Sequence, residues 1–304
     1  MEHRSAILTF AAAGVNRRAT APIPPGSLIL RLLGPQIVEW GVLELWHLAS
    51  LDAPTVAALW CVLLARAANA PLPAFAPWLL ALATWSVYAL DRLLDARRPR
   101  ETLRPRHEFH ARHARAFAAG LALAAAAFLF YFLPRMSRSV LRGDAILAAP
   151  FLAYFAAVHG RGGRRLPKEM LVGVIFASAV AMPALARSPR PLSAAPAAAL
   201  FAGLCWWNCA AIQRWEDAAY ERRDLGAARG RTLELGAAAL AAAAAAGIAF
   251  APASRGAFAA GALSAAACAV LARLAPSLDA LDLRVAADLA LCTPILVLPF
   301  WPRP

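Results

Sequence analysis

Apolar residues in this chain fall in long blocks, not in the strict alternation of a strand. A bilayer core of about 30 Å takes roughly 17–25 mostly apolar residues per helix. Blocks of about that length, each ended by charge, proline or glycine, tile the sequence as Ala53–Ala70, Ala74–Asp95, Ala114–Leu133, Asp144–His159, Pro167–Ala186, Ala195–Trp215, Leu233–Phe250, Arg255–Leu274 and Leu283–Phe300. The pattern predicts an all-α protein, a polytopic membrane helix bundle of about nine transmembrane helices. Ahead of the first block, Glu39, Glu44, His47 and Asp52 alternate with Trp40, Leu43, Leu45, Trp46 and Leu48, the pattern of an interfacial amphipathic helix over 35–52.

Residues 1–34 mix Arg4, Arg17, Arg18 and Arg31 with Pro22, Pro24 and Pro25, which fits no secretory signal and is read as a mobile cytoplasmic leader. Residues 53–304 form the transmembrane domain. The alanine run Ala238–Ala246 is packing surface, because small residues let membrane helices approach closely. Prolines at 150, 183, 196, 294 and 299 predict kinked or broken helices, tolerated where neighbours satisfy the freed carbonyls.

Composition agrees. Hydrophobic residues make up 61% of the chain against 16% charged, and the mean hydropathy is +0.56, more apolar surface than one water-soluble core can hide. The formal charge is +13, and Lys168 is the single lysine. A basic balance raises nucleic acid as a partner, but here the arginines sit in short links between apolar blocks, which fits anionic lipid and topology instead. Links 96–113, 160–168 and 216–231 carry far more arginine than the links between them, so they face the cytoplasm. The N-terminus is then cytoplasmic and the protein a multi-pass component of the cell's inner membrane. Cys61, Cys205, Cys209, Cys268 and Cys292 lack paired spacing and read as small core residues.

Two polar constellations interrupt the blocks. Asp91 and Asp95, at i and i+4, share one face at the end of the second block. They serve either as a cation or cavity site or as a solvated helix end paired with Arg92, Arg97 or Arg98. Gln213 and Asp217 repeat the spacing at the end of the sixth block, with Asn208 about a turn deeper. Two such ends facing one side suit Mg²⁺, which takes oxygen ligands and substrate phosphates. The link His159–Lys168 offers glycines with Arg164, Arg165 and Lys168, either a phosphate clamp or the positive-inside pattern alone. His107, His110 and His113 fall three apart, a solvated interfacial helix in preference to a metal stripe. Trp85, Tyr88, Trp206, Trp207 and Trp215 serve as interfacial anchors or as aromatic shields for a cation.

This arrangement resembles the UbiA superfamily of intramembrane prenyltransferases, whose nine helices carry two aspartate-rich motifs after the second and sixth helices. The first motif usually reads Asn-Asp-x-x-Asp-x-x-x-Asp; Val87 to Asp95 keeps the last two aspartates. Of the second, Asp-x-x-x-Asp, Gln213 to Asp217 keeps the last, and Arg229-Gly-Arg-Thr-Leu233 resembles the stretch that follows it. The resemblance implies that Asp91, Asp95 and Asp217, with Glu216, hold Mg²⁺ on a prenyl diphosphate. It implies that Arg92, Arg164, Arg165 and Lys168 neutralise the diphosphate and that Asn208 and Gln213 supply neutral ligands. The prenyl group would pass to an aromatic or other lipophilic acceptor. The missing aspartates leave a second expectation, a catalytically inactive member that binds an isoprenoid lipid or a membrane partner. A small-molecule transporter is the third, disfavoured because no inverted repeat is visible and the acidic residues gather on one face.

Overall fold

The structure, a computed structural model, describes residues 41–97, 104–159, 168–220 and 227–301. All regular elements among the described residues are helical. The leader, residues 35–40 of the amphipathic segment, Arg164 and Arg165 lie outside them, as does the side chain of Lys168. The chain divides into two units, Met1–Leu45 and Trp46–Pro304. Of the first, the described part opens the short helix α1 (Val42–Leu48), where the Glu44 carboxylate accepts the Gly41 N–H at 2.6 Å.

The second unit is built from α2 (Asp52–Ala67), α3 (Ala76–Asp95), α4 (Pro105–Arg112), α5 (Ala114–Ala127), α6 (Arg138–His159), α7 (Lys168–Leu185), α8 (Ala195–Tyr220), α9 (Ala227–Phe250), α10 (Arg255–Leu274), α11 (Ala280–Ala290) and α12 (Pro294–Val297). Among the described residues, five stretches are long and apolar enough to cross a membrane: Ala114–Arg135, Ala195–Ala219, Arg231–Phe250, Pro252–Ser277 and Ala280–Phe300. The first of these runs on from α5 through a π turn at Phe128–Phe132 and a 3₁₀ turn at Leu133–Arg135. The last is broken, since α11 stops at Ala290 and Pro294 starts the next helix, a break of the kind the prolines predicted. Pro183, by contrast, lies inside α7.

Three helices start several residues earlier than their apolar blocks. α6 begins at Arg138, not Asp144, α9 at Ala227, not Leu233, and α11 at Ala280, not Leu283. Backbone hydrogen bonding continues through charged turns that hydropathy assigns to links. At α11 the start is set chemically, because Asp279 caps the helix by accepting the N–H groups of Leu281 and Asp282.

Among the described residues, two apolar clusters hold the helices together. In one, Trp60 of α2 stacks on Phe201 of α8 with ring centroids 4.3 Å apart, amid Leu63, Leu64, Val180 and Leu204. Its indole N–H donates to the Leu291 carbonyl at 2.8 Å, so a buried polar atom is satisfied without leaving the core. In the other, Trp207 and Trp215 of α8 pack with Leu233, Cys268 and Leu283. Small residues set the spacing: a Cβ on Gly173 of α7 would lie 2.8 Å from the Trp206 backbone nitrogen of α8. Trp78, Leu123, Phe130, Ile146 and Phe250 point outward and are mostly exposed, apolar surface that lipid chains can solvate and water cannot.

Candidate functional site

A buried polar network joins α1, α2, α3, α4, α8 and α11. It begins with a local turn. Ser50, in the left-handed region at φ 60°, follows α1, and the N–H groups of Ser50 and Leu51 donate to the carbonyls of His47 and Trp46. This turn sets the His47 ring against Asp52, the first residue of α2, with Nδ1 2.5 Å from Oδ2. The other carboxylate oxygen of Asp52 accepts the Ala53 N–H at 2.8 Å.

Three helices close on this pair. From α11, Asp288 brings Oδ2 to 3.5 Å of His47 Nδ1, while its Oδ1 accepts from Asn208 Nδ2 of α8 at 2.9 Å. From α3, Arg92 donates through Nη1 to the His47 carbonyl at 3.1 Å, holds Nη2 3.8 Å from Asp52 Oδ2 and lies over the Tyr88 ring. Two carboxylates, one guanidinium and one imidazole thus share a volume closed to solvent, an arrangement that survives burial because the charges oppose one another.

The adjoining half is richer in cations. Glu216 of α8, 4% exposed, receives Arg104, Arg106 and Arg284; Arg284 Nη1 donates to Oε1 at 2.8 Å, and Arg106 reaches both carboxylate oxygens. Three guanidinium groups against one carboxylate leave positive charge in excess among these four residues. A small pocket lined by His47, Arg106, Glu216, Leu281 and Arg284 connects the two halves. Four buried atoms lacking a hydrogen-bond partner belong to this network: His47 Nε2, Arg92 Nη2, Asn208 Oδ1 and Arg284 Nε. Orphaned polar atoms are rare in folded proteins, and here four of them fall in one network.

Of the residues named from sequence, Arg92, Asn208 and Glu216 belong to the network, with Asp95 at its edge, where Oδ2 lies 3.7 Å from His107 Nε2. Asp91 is half-buried. Gln213 and Asp217 bond each other at 2.7 Å on the exposed side of α8. The expected i, i+4 pair therefore exists, yet it faces away from Glu216, because adjacent helical residues point about 100° apart. Among the described residues one group of three carboxylate or histidine ligands could hold a metal ion, and it is His47, Asp52 and Asp288. Glu216, shared by three arginines, offers a poor seat for a cation.

The histidine stripe is a helix, α4, but not a solvated one. His107 and His110 are buried, and burial among arginines pushes them down, His107 to about 3 and His110 to about 4. His110 is fully satisfied: Nδ1–H donates to the Arg106 carbonyl at 2.8 Å, Nε2 accepts from the Ser50 hydroxyl at 3.2 Å, and the ring stacks on Phe117. His113 donates to the Phe109 carbonyl. The aromatics divide, with Trp207 and Trp215 in the core, Trp206 facing outward, and Trp85 donating to the Ala49 carbonyl at 3.2 Å beside the turn that carries His47.

His47, Asp52, Arg284 and Asp288 were not singled out from sequence as site residues. Arg284 and Asp288 did leave a signal, an i, i+4 pair of opposite charges inside the last apolar block.

No family model matches the chain, and neither a curated protein nor a solved structure matches it.

Proposed function

We propose that the chain is a nine-span UbiA-like prenyltransferase of the inner membrane, with its N-terminus in the cytoplasm. On this reading the network is the anion site for a prenyl diphosphate, and the prenyl tail lies along apolar helices. The observation that carries it is the convergence of Arg104, Arg106 and Arg284 on Glu216 beside four orphaned polar atoms at the edge of an apolar bundle. Guanidinium groups match phosphate oxygens in geometry as well as charge, and fixed cations where a leaving group gains charge lower the barrier to ionisation.

Mg²⁺ needs only one or two protein carboxylates when phosphates complete its shell. Asp91 and Asp95, one turn apart on α3 and next to Arg92, fit that reduced role, while Asp217 is engaged by the Gln213 amide. When bound, the ion would neutralise the departing diphosphate. The chain's own arginines hold that group whether or not the ion is present. Arg164 and Arg165, from the link between α6 and α7, and Lys168, the first residue of α7, would add to this clamp.

The test is incubation of purified protein in lipid nanodiscs with Mg²⁺, radiolabelled prenyl diphosphates and a panel of lipophilic acceptors. A labelled lipid product, lost in Arg284→Ala, is expected. Absence of product together with absence of diphosphate-dependent thermal stabilisation rejects the reading. Stabilisation without product selects the inactive isoprenoid binder instead, which the tyrosine at position 88 and the outward Gln213–Asp217 pair favour.

A further inference from the structure

We propose that Glu216 is a built-in competitor of this anion site: its carboxylate fills the arginine cluster until the phosphate groups of a ligand displace it. The inference rests on the anion-site part of the prenyl-transfer reading and deepens it by naming the residue that sets the affinity. Glu216, near the end of α8, is 4% exposed and meets Arg104 and Arg106 at the start of α4 and Arg284 from α11. A carboxylate held this way has two roles open to it. An anchor places the arginines; a competitor occupies them.

Donor and acceptor numbers separate the two. Each guanidinium carries five N–H donors, whereas a carboxylate has about four lone-pair positions. Glu216 Oε1 accepts from both Arg106 and Arg284, the latter at 2.8 Å, while Oε2 lies 3.4 Å from Arg106 Nη2 and also meets Arg104. Arg284 Nε, buried in the same cluster, has no hydrogen-bond partner. The carboxylate is used on both oxygens and still leaves a donor over. Charge is unmatched in the same sense, with three cations against one anion among these four residues. The cluster is short of both acceptor oxygens and negative charge.

A phosphate ligand supplies both. Two oxygens of a phosphoryl group fit the guanidinium fork as those of a carboxylate do, and a diphosphate brings further oxygens and more than one negative charge. The pocket beside the cluster, lined by His47, Pro105, Arg106, Glu216, Leu281 and Arg284, leads such a ligand onto the carboxylate itself. An anion entering there either displaces Glu216 or is repelled by it, and both weaken binding relative to a cluster without that charge. Glu216 therefore compensates the buried arginines in the free protein and gives way to an anion that brings more charge than it does. For a transferase the gain is release, because a returning carboxylate shortens the stay of the diphosphate product.

The experiment titrates inorganic diphosphate and, separately, inorganic phosphate into wild type, Glu216→Gln and Glu216→Asp in nanodiscs of neutral lipid without Mg²⁺ at fixed ionic strength. Binding is read by calorimetry, with thermal unfolding alongside. Glu216→Gln keeps the shape and removes the charge, and it is expected to bind diphosphate at least about tenfold more tightly than wild type, with phosphate tightened in the same direction. Glu216→Asp draws the carboxylate back by one methylene and is expected to fall between the two. Diphosphate is expected to raise the unfolding midpoint of Glu216→Gln by more than it raises that of wild type. Equal or weaker binding by Glu216→Gln makes Glu216 an anchor and overturns the inference while the anion site stands. If neither wild type nor either variant binds diphosphate, the anion-site reading falls and the inference with it. Should Glu216→Gln fail to fold, Glu216→Asp decides: an affinity at or below that of wild type overturns the proposal.

Discussion

Around Trp60 the bundle is held by shape, whereas around Glu216 it is held by charge. The Trp60–Phe201 stack and the Gly173 seam against Trp206 depend on close contact between small and flat groups, and they leave no polar atom to satisfy beyond one indole N–H. The network of His47, Asp52, Arg92, Asp288 and Glu216 depends on each charge finding its opposite, and several atoms there still have none. In a bilayer the first kind of packing needs no hydrophobic drive between helices, only good contact. The second is retained at a cost in stability, which points to use in place of support.

Truncations should separate the two regions. Glu216→Ala removes the carboxylate that three arginines share and should destabilise the protein by about 3–5 kcal/mol, read as a lower midpoint in denaturant or thermal unfolding. Added inorganic diphosphate should recover part of that loss if the arginines form an anion site, and a midpoint indifferent to diphosphate would break the contrast. Trp60→Ala should cost on the order of 3 kcal/mol through lost packing, with no recovery by diphosphate. Gly173→Ala forces a methyl group against backbone that cannot swing away, a cost of about 1–3 kcal/mol in the same assay.

Acid sharpens the contrast further. His107 and His110 titrate near 3 and 4 in the folded protein against an ordinary 6.5, so the unfolded chain takes up protons first. Stability is therefore full above about pH 6.5 and falls as pH drops toward 4 and then 3. Melting temperatures measured from pH 7.5 to 4.5 should decline, and His110→Asn should flatten the decline. The smallest effect belongs to Asp217→Asn, whose exposed bond to Gln213 should contribute less than about 0.5 kcal/mol; a larger fall in the unfolding midpoint would place Asp217 with Glu216 after all.

Helix positions were legible in the sequence because apolar length is a strong signal. α2, α3, α8 and α10 match their blocks to within a few residues except at the carboxyl end of α8, which runs on to Tyr220. The starts of α6, α9 and α11 were not legible, since charged turns still form helix. The site was half legible. Spacing found Asp95 and Asn208, and the resemblance added Arg92 and Glu216, yet the spacing favoured Asp217, because i, i+4 pairing says that two residues share a face and nothing about which way that face turns. His47 and Asp52 looked like the wet side of an amphipathic helix. Only tertiary packing shows that the chain turns at Ser50 and buries both.

The pairing of an early histidine with a late aspartate also bears on how the protein is made. His47, Asp52 and Arg92 emerge from the ribosome long before Arg284 and Asp288, so most of the bundle is synthesised while the charges near its first helices lack their final partners. The stretch that carries Arg284 and Asp288 therefore completes the network last: a translation product cut short before α11 would hold His47 and Glu216 without those two partners.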